Sequence, residues 1–380
     1  MGSRTSRRRK ELDEKRNSAA MMDPEAAGVS PDDWRAATES CVELRVVEVI
    51  DETHDSRSFV FDVPAELRAR FEYQPGQFLS FKIPYEGRVL TRSYSLASSP
   101  HTDPAHKVTV KRVDEGRISH WMNDHIRVGS QMMVVPPAGL FVLNDARRKI
   151  MLFGGGSGIT PVISIIKSAL ATTDRAIELI YANRDERSII FRDELAALVA
   201  ANSSRFAVVH SLDDVDGFLD RNAVKRHIGS ELDADFYLCG PGPFMATVEE
   251  SLRGLGVAHD LVHIERFISP PDPGFHIEEV TEEVGDDSVA DTITVVLDGA
   301  TREVPYSKGE KLLRAAREAG LEPPFSCEEG YCSCCMAKLV AGEVKMDTND
   351  CLTPDLIAEG WILTCQARCV SGKVKVEYPD

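Results

Sequence analysis

The chain has 380 residues, of which 43% are hydrophobic and 28% charged, an ordinary composition for folded globular domains. Its 44 basic and 61 acidic residues give a formal net charge of −17, which argues against nucleic-acid binding because phosphate recognition needs a basic face. No segment approaches the roughly 20 consecutive apolar residues of a membrane-spanning helix, so we expect no membrane association.

The first 40 residues are predicted to form a disordered tail. Residues 1–20 hold seven Lys or Arg and three Asp or Glu, and the basic run from Arg7 to Lys10 leads into a mostly charged segment. A secretory signal would have an apolar segment at that point. We therefore expect a cytoplasmic protein.

Residues 41–145 are predicted to form an antiparallel β-barrel. Short segments rich in β-branched and aromatic residues alternate there with turn-forming residues, which is typical of small barrels. The expected strands are 42–50, 58–63, 77–83, 94–97, 107–113 and 131–136, with a helix at 119–126.

Residues 146–268 change to an alternation of strands and helices, which predicts an α/β domain with a parallel sheet covered by helices on both faces. The expected strands are 149–153, 176–181, 206–210 and 235–239, and the expected helices are 161–170 and 191–200.

Residues 269–290 are predicted to be a linker, because they contain three prolines and seven acidic residues but no Lys or Arg. A last domain is expected at 291–380. It begins with a hairpin, 292–297 and 302–305, followed by a helix at 310–319 and late strands at 336–340 and 373–378.

Seven of the nine cysteines lie within the last domain, which indicates a metal centre in a chain without a secretory signal. Cys327, Cys332 and Cys335 follow the spacing C-x4-C-x2-C, and Cys365 lies alone further on. This is the plant-type [2Fe–2S] spacing, whereas structural zinc sites usually pair two close cysteines with a second close pair. Cys334 lies between two predicted ligands and could compete with Cys335.

Arg92, Tyr94 and Ser95 form a candidate flavin site. Residues two apart on a strand share a face, so the Arg92 guanidinium could pair with a pyrophosphate while the Tyr94 ring stacks on a planar heterocycle. The adjacent Ser95 hydroxyl could hydrogen-bond a ring nitrogen.

A second phosphate contact is predicted downstream, where Gly116 and Ser119 precede a helix, although Ser119 could instead be a plain N-cap. This helix start favours FAD over FMN. The preceding strand contributes two more predicted cofactor contacts, Val110 and Lys111.

A glycine-rich turn after the first α/β strand predicts a nicotinamide site. Glycines let the backbone approach a pyrophosphate, and the following helix N-terminus adds partial positive charge. The predicted contacts in this turn are Gly155, Gly156, Ser157, Gly158 and Thr160.

Another strand ends in a second glycine- and proline-rich turn, where ligands of open α/β sheets bind. Cys239 is the predicted catalytic residue there, unless it is simply a buried apolar side chain, and Gly240, Pro241 and Phe244 are predicted contacts.

The choice between NADH and NADPH rests on residues 183–187. Asn183 and Asp185 are predicted contacts, and Asp185 or Glu186 could accept a hydrogen bond from the ribose 2′-hydroxyl. Arg184 or Arg187 could instead bind a 2′-phosphate. We favour NADH and keep NADPH as the alternative.

These motifs, in this order, resemble the ferredoxin–NADP reductase superfamily with a C-terminal plant-type ferredoxin domain. Residues from about 42 to 380 are similar to the reductase components of actinobacterial 3-ketosteroid 9α-hydroxylases, notably in the segments 181–184, 239–245, 263–265 and 324–327. Phenylacetyl-CoA epoxidase reductases share the domain order.

The resemblance implies a flavin barrel, a nicotinamide domain and a β-grasp ferredoxin domain. It further implies that Arg92 contacts flavin phosphate, that Tyr94 stacks on the isoalloxazine and that Ser95 approaches N5. Glu265 and Phe267 match the family's E-x-F ending, which would border the other face of the flavin.

We therefore expect a monomeric reductase that takes hydride from NADH onto FAD and passes single electrons through the cluster to a terminal oxygenase, with a Rieske-type enzyme favoured. A reductase for another oxygenase, such as a di-iron epoxidase, is the first alternative. The second is a stand-alone electron carrier or redox sensor.

Overall fold

The computed structural model describes residues 23–267, 291–349, 351–352 and 354–379. The chain divides into two compact units, Met1–Phe267 and Ile268–Asp380. The predicted linker at 269–290 lies outside the described residues. Among the helices that are described, none is long and apolar enough to cross a membrane.

Residues 23–40 differ from the predicted disordered tail. Helix α1, Pro31–Thr38, begins after Ser30, whose hydroxyl accepts a hydrogen bond from the Asp33 amide at 3.1 Å. Val29 is buried, and the carbonyl of Ala27 accepts a hydrogen bond from the Gly87 amide at 2.6 Å. The prediction of disorder is therefore wrong for residues 23–40, while residues 1–22 lie outside the described residues.

The first sheet is antiparallel and has the order β4-β3-β6-β1-β2-β5. Its strands are β1 Val42–Thr53, β2 Ser56–Asp62, β3 Phe78–Tyr85, β4 Arg88–Ser95, β5 His106–Lys111 and β6 Gln131–Ala138. A bridge between Leu96, directly after β4, and Val108, within β5, joins the two edge strands and closes the predicted barrel.

Alternating large apolar side chains fill the barrel. Phe59 and Phe61 on β2 point inward with Phe81 on β3, and all three are fully buried. Helix α2, Arg117–His125, packs Ile118 and Met122 against them. Strand β4 begins six residues earlier than the predicted strand 94–97, because the turn at Glu86 and Gly87 returns the chain directly along β3.

The second sheet is parallel and has the order β11-β10-β7-β8-β9. Its strands are β7 Ile150–Gly155, β8 Ile177–Asn183, β9 Phe206–Leu212, β10 Asp235–Cys239 and β11 Val262–Glu265. The helices around it are α3 Ile159–Thr172, α4 Arg192–Ala201, α5 Asp213–Asp216, α6 Arg221–Ile228 and α7 Gly242–Leu255.

Strand β7 shows why helices cover both faces of this sheet. All of its residues are buried, with Ile150 and Leu152 packing into one apolar cluster and Met151 and Phe153 into another. Helix α3 closes the first cluster and helix α7 the second. The doubly covered parallel sheet confirms the α/β prediction.

The C-terminal unit is a mixed sheet of order β13-β12-β18-β14-β16 with a helix packed on it, the predicted β-grasp arrangement. Its main strands are β12 Thr292–Leu297, β13 Ala300–Pro305, β14 Met336–Ala341, β16 Trp361–Leu363 and β18 Lys375–Glu377. A small ribbon and two helices complete it: β15 Val344–Met346, β17 Ala367–Cys369, α8 Leu312–Glu318 and α9 Pro354–Ala358.

Candidate functional site

The predicted cluster ligands lie together as two pairs of thiols. Burial is the main cause that raises the pKa of Cys327, and the neighbouring Cys332 thiol is the next. For Cys335, the neighbouring Cys365 thiol is the main cause that raises the pKa, and burial is the next. The structure therefore groups the four predicted ligands as two thiol pairs, Cys327 with Cys332 and Cys335 with Cys365, and Cys332 is also near enough to raise the pKa of Cys335.

The loop that carries three of these cysteines curls because three of its residues take left-handed backbone angles: Glu328, Gly330 and Ser333. This turns backbone amides toward sulfur, so that Cys327 N–H donates to Cys332 Sγ and Glu329 N–H to Cys327 Sγ, both at 3.4 Å. Gly330 has φ of +85°, and a Cβ there would lie 3.1 Å from the Thr348 carbonyl oxygen. The loop needs glycine at this position.

The donor set fits a [2Fe–2S] cluster better than a single metal ion. In a [2Fe–2S] centre each iron takes two protein ligands, which matches two thiol pairs. A tetrahedral zinc site would gather its ligands around one point. Within the described ranges, no three His, Cys, Asp or Glu side chains meet in that way.

The remaining cysteines of this unit, Cys334, Cys351 and Cys369, have separate neighbours. Cys334 is buried and its thiol touches that of Cys332. The Cys351 thiol donates to the Gly330 carbonyl at 3.4 Å, and Cys369 is buried beside Tyr306. Cys335 is the neighbour of Cys365, whereas Cys334 lies beside Cys332. The choice of Cys335 over Cys334 as a cluster ligand stays a prediction.

The candidate flavin residues lie at the end of β4. Arg92 and Tyr94 are half-buried, and the Tyr94 ring centroid lies 6.0 Å from that of Phe81. The Arg92 guanidinium donates to the Thr91 carbonyl at 2.7 Å. Ser95 is 3% exposed and ends the strand. The guanidinium and the aromatic ring suit a phosphate and a planar ring system respectively.

The predicted second phosphate contact has a different local role for Ser119. Gly116 is the N-cap of α2, and a Cβ there would lie 2.5 Å from Ser119 Oγ. The Ser119 hydroxyl donates to the Gly116 carbonyl at 3.0 Å and accepts from the Val113 amide at 3.2 Å. Ser119 is therefore not the N-cap, and its hydroxyl holds the turn. Its contact with a phosphate stays a prediction.

The crevice at the carboxyl ends of β7 and β10 is built by glycines that allow close backbone approach. A Cβ on Gly158 would lie 2.0 Å from the Cys239 carbonyl oxygen, and one on Gly155 would lie 2.8 Å from Pro241 Cδ. A Cβ on Gly240 would lie 2.7 Å from the Phe244 ring. The two predicted nicotinamide turns are therefore in direct contact.

A cavity of about 490 Å³ opens beside this crevice. It brings together eight predicted cofactor residues: Lys111, Gly155, Gly156, Ser157, Asn183, Arg184, Pro241 and Phe244. The Lys111 ammonium would lie 3.7 Å from a Cβ on Gly156, so it reaches over the glycine turn. The Thr160 hydroxyl instead donates to the Ser157 carbonyl at 3.0 Å, and Val110 is buried in the barrel.

Asn183 is a predicted cofactor contact that lines the cavity. The residue is 4% exposed, and neither its amide oxygen nor its amide nitrogen has a hydrogen-bond partner among the described residues. A buried amide left without partners costs free energy. Both amide atoms are closed off from solvent, so a polar ligand in the cavity would reach them only after a rotation of this side chain.

The two residues that follow Asn183, Arg184 and Asp185, have different contacts. The Asp185 carboxylate accepts hydrogen bonds from the Ser188 amide and hydroxyl, each at 2.9 Å, and these lower its pKa. Arg184 donates to the Asp55 carboxylate at 2.7 Å. Asp185 therefore holds a local turn, and it does not line the cavity.

Cys239 and Glu265 lie side by side on β10 and β11. Burial and the neighbouring Glu265 raise the pKa of the fully buried Cys239 thiol. Burial raises the pKa of Glu265 to about 8. Phe267 follows with 45% of its surface exposed, which is unusual for a large aromatic side chain.

Sequence reasoning missed contacts that arise between distant segments. Gln366 donates through Nε2 to Cys365 Sγ at 3.5 Å and to the Glu328 carbonyl at 2.9 Å, so it ties the fourth thiol to the loop. Only the position of Gln366 next to Cys365 in the sequence could have indicated this contact. Asp55 and Asp213 also reach the crevice, but nothing local to them marks a site.

Three family models match the chain in succession: an oxidoreductase FAD-binding domain at residues 43–143, an oxidoreductase NAD-binding domain at 152–250 and a 2Fe-2S iron-sulfur cluster binding domain at 295–370. The order of cofactor domains is thus the predicted one.

Curated relatives match over most of their length. The ferredoxin reductase component of 3-ketosteroid-9-alpha-monooxygenase from Rhodococcus rhodochrous is 43% identical over 316 residues, covering 82% of this chain and 90% of the relative. The matching component of 1,2-phenylacetyl-CoA epoxidase from Escherichia coli K12 is 32% identical over 331 residues, covering 83% and 91%.

Among solved structures, phthalate dioxygenase reductase shares the fold with a TM-score of 0.54 and 24% identity, covering 90% of this chain and 98% of that one. The three family models and the long curated matches agree on one architecture. The chain belongs to the family of oxygenase reductase components that combine an FAD-binding domain, an NAD-binding domain and a [2Fe–2S] domain.

Proposed function

We propose that this chain supplies electrons from NADH to a Rieske-type terminal oxygenase that hydroxylates a 3-ketosteroid. The observation that carries the proposal is the 43% identity, over 82% of the chain, to ferredoxin reductase components of 3-ketosteroid-9-alpha-monooxygenase. Its matches to the reductases of phenylacetyl-CoA epoxidase and glycine betaine monooxygenase are weaker, at 32% and 30% identity over similar lengths.

FAD, when bound, accepts two electrons as hydride and returns them one at a time, so it links NADH to a one-electron [2Fe–2S] centre. In this role Arg92 would pair with the flavin pyrophosphate and Tyr94 would cover one face of the ring. Their shared face on β4 supports the assignment. The half-buried carboxyl of Glu265 and the exposed ring of Phe267 would border the other face.

The crevice would hold NADH with its nicotinamide toward Cys239 and its pyrophosphate along the glycine turn. Gly155 and Gly156 let the dinucleotide approach the backbone, and Lys111 would neutralise phosphate charge. After a rotation of its side chain, Asn183 would pair with the dinucleotide through its unpartnered amide. The buried Cys239 thiol stays protonated because burial raises its pKa, so it would contribute shape and polarisability rather than charge.

The cluster would be held by Cys327, Cys332, Cys335 and Cys365. Backbone amides of the curled loop donate to the Sγ atoms of Cys327 and Cys332. Such donors stabilise the negative charge of a thiolate-bound centre. Gln366 would anchor the fourth ligand.

Reconstitution tests the proposed partner. The purified reductase and NADH would be combined with a 3-ketosteroid 9α-hydroxylase oxygenase, and NADH consumption and hydroxylated steroid measured together. We expect product formation coupled to NADH consumption. A phenylacetyl-CoA epoxidase oxygenase serves as the matched control and should give little product.

Higher coupled turnover with the epoxidase would favour that alternative function and contradict the steroid assignment. Rapid reduction of a soluble dye with no turnover by either oxygenase would leave the reductase chemistry intact and contradict both partners.

A further inference from the structure

The turn between β1 and β2 reaches from the barrel to the rim of the nicotinamide cavity. The Asp55 carboxylate there is 14% exposed and accepts a hydrogen bond from Arg184 at 2.7 Å, with the Lys111 ammonium 3.9 Å away. The hydroxyls of Thr53 and Ser56 donate to its other oxygen at 2.7 and 3.1 Å. Both carboxylate oxygens are thus engaged, and the side chain is fixed.

Arg184 is the cation that follows β8, and this is the strand end where a 2′-phosphate would lie in NADPH. Its guanidinium charge is already balanced by Asp55. Arg112 also lines the cavity, but it pairs with Asp124 at 2.6 Å. The carboxylates of Asp114 and Asp213 line the same cavity. Each cation in the lining, Lys111, Arg112 and Arg184, already lies within 4 Å of a carboxylate, so an added phosphate would have to compete with these carboxylates.

We propose that Asp55 makes the site selective for NADH over NADPH by holding the Arg184 guanidinium, an inference that rests on the proposed function. To bind a 2′-phosphate, Arg184 would have to leave Asp55, which would keep only the two hydroxyl donors and the more distant Lys111 ammonium. Losing a direct charged partner is costly for a mostly buried carboxylate, whereas a neutral ribose 2′-hydroxyl demands no such exchange. Asp55 acts through Arg184 and is a positioning residue.

The test uses ADP-ribose and 2′-phospho-ADP-ribose, which fill the adenosine end of the site without transferring hydride. Their dissociation constants would be measured by calorimetry on the purified full-length protein and on Asp55→Asn, Arg184→Ala and the double variant. We expect Asp55→Asn to raise the preference for the phosphorylated ligand by about tenfold, equivalent to about 1.4 kcal/mol. The double variant should lose this gain.

Steady-state kinetics give a second readout. Asp55→Asn should lower the KM for NADPH more than it changes kcat with NADPH, because the substitution acts on binding. The matched control is Asp51→Asn, which removes the carboxylate paired with Arg57 on the exposed side of the same hairpin. It should leave the ligand preference unchanged.

An unchanged preference in Asp55→Asn, or a gain that persists in the double variant, would overturn the inference. If Asp55→Asn does not fold, Arg184→Ala decides: an affinity for the phosphorylated ligand within about threefold of wild type supports the proposal, and a loss of about tenfold shows that Arg184 already binds phosphate. If neither ligand binds the wild-type protein, the proposed NADH site fails and the inference with it.

Discussion

The cysteine loop of the C-terminal unit and the crevice of the α/β region form their binding sites in opposite ways. The loop presents side chains, three thiols on a backbone bent by left-handed residues, and Cys365 from a separate segment completes the two pairs. The crevice is formed where side chains are missing, because Gly155, Gly158 and Gly240 let strand ends and a helix start touch. One site depends on which groups are present and the other on how closely the backbone can pack.

The largest expected effect is at the loop. Cys335→Ser should abolish the cluster, because Cys335 is the partner of Cys365 and each thiol pair would serve one iron. Iron and acid-labile sulfide, each expected at about two per chain in the wild type, would fall toward zero. Cys334→Ser is the control and should retain both. The reverse pattern would show that the register of the loop is wrong.

At the crevice, Gly158→Ala should destabilise the protein by about 1–3 kcal/mol, since the new methyl group would overlap the Cys239 carbonyl and push α3 away from β10. Urea unfolding would measure the free-energy change, and NADH-dependent dye reduction should fall as well. Gly254→Ala on α7 meets open space and serves as control. Equal stability of the two variants would mean that close packing is not required.

Arg92→Ala tests the contribution of a side chain to the flavin site. We expect a flavin-poor protein because a charge-assisted contact with the pyrophosphate is lost. Flavin released by heating would be measured per chain. Arg88→Ala, at the exposed start of the same strand, should retain full flavin content. Full occupancy in Arg92→Ala would contradict the assigned role.

Glu265 makes the stability of the folded protein depend on pH. Burial raises its pKa to about 8, above the value in the unfolded chain, so its stabilising contribution is complete at acidic pH and is lost as pH rises toward 8. Glu265→Gln mimics the neutral form. Its Tm relative to wild type should therefore increase between pH 5 and pH 9. A constant difference in Tm across this range would show that Glu265 is not buried as a neutral acid.

The smallest effect is expected at the surface of the loop. Acidic residues occur within and after the cysteine loop, but Glu328 lies 3.6 Å from Arg317, and Asp347 pairs with Lys311 and Arg368. These ion pairs reduce the net negative charge that the loop surface presents to a partner.

We expect reversal of Glu328 and Glu329 to lysine to slow electron delivery to the oxygenase a few-fold at low salt and to leave dye reduction unchanged. Stopped-flow measurements over a salt series would test this, with Glu303→Lys on the β13 edge as control. No salt dependence would show that docking is not electrostatic.

Sequence reasoning succeeded where the physical signal is local. The C-x4-C-x2-C spacing fits within one loop, and the apolar run of β7 needs only its own residues to mark a buried strand. The early part of β4 was missed because charged residues interrupt its apolar pattern, although pairing with β3 makes it a strand. Helix α1 was missed too, since the packing of residues 23–40 on the barrel comes from a distant hairpin.

By itself, the sequence determined the order of the three cofactor regions and predicted the register of the four thiols, because ligand spacing and strand periodicity act over short stretches of chain. Only the tertiary structure decided that Asn183 is buried without partners and that Asp55 holds Arg184, 129 residues away. Burial and ion pairing depend on which segments meet, and no property of either residue alone specifies its partner.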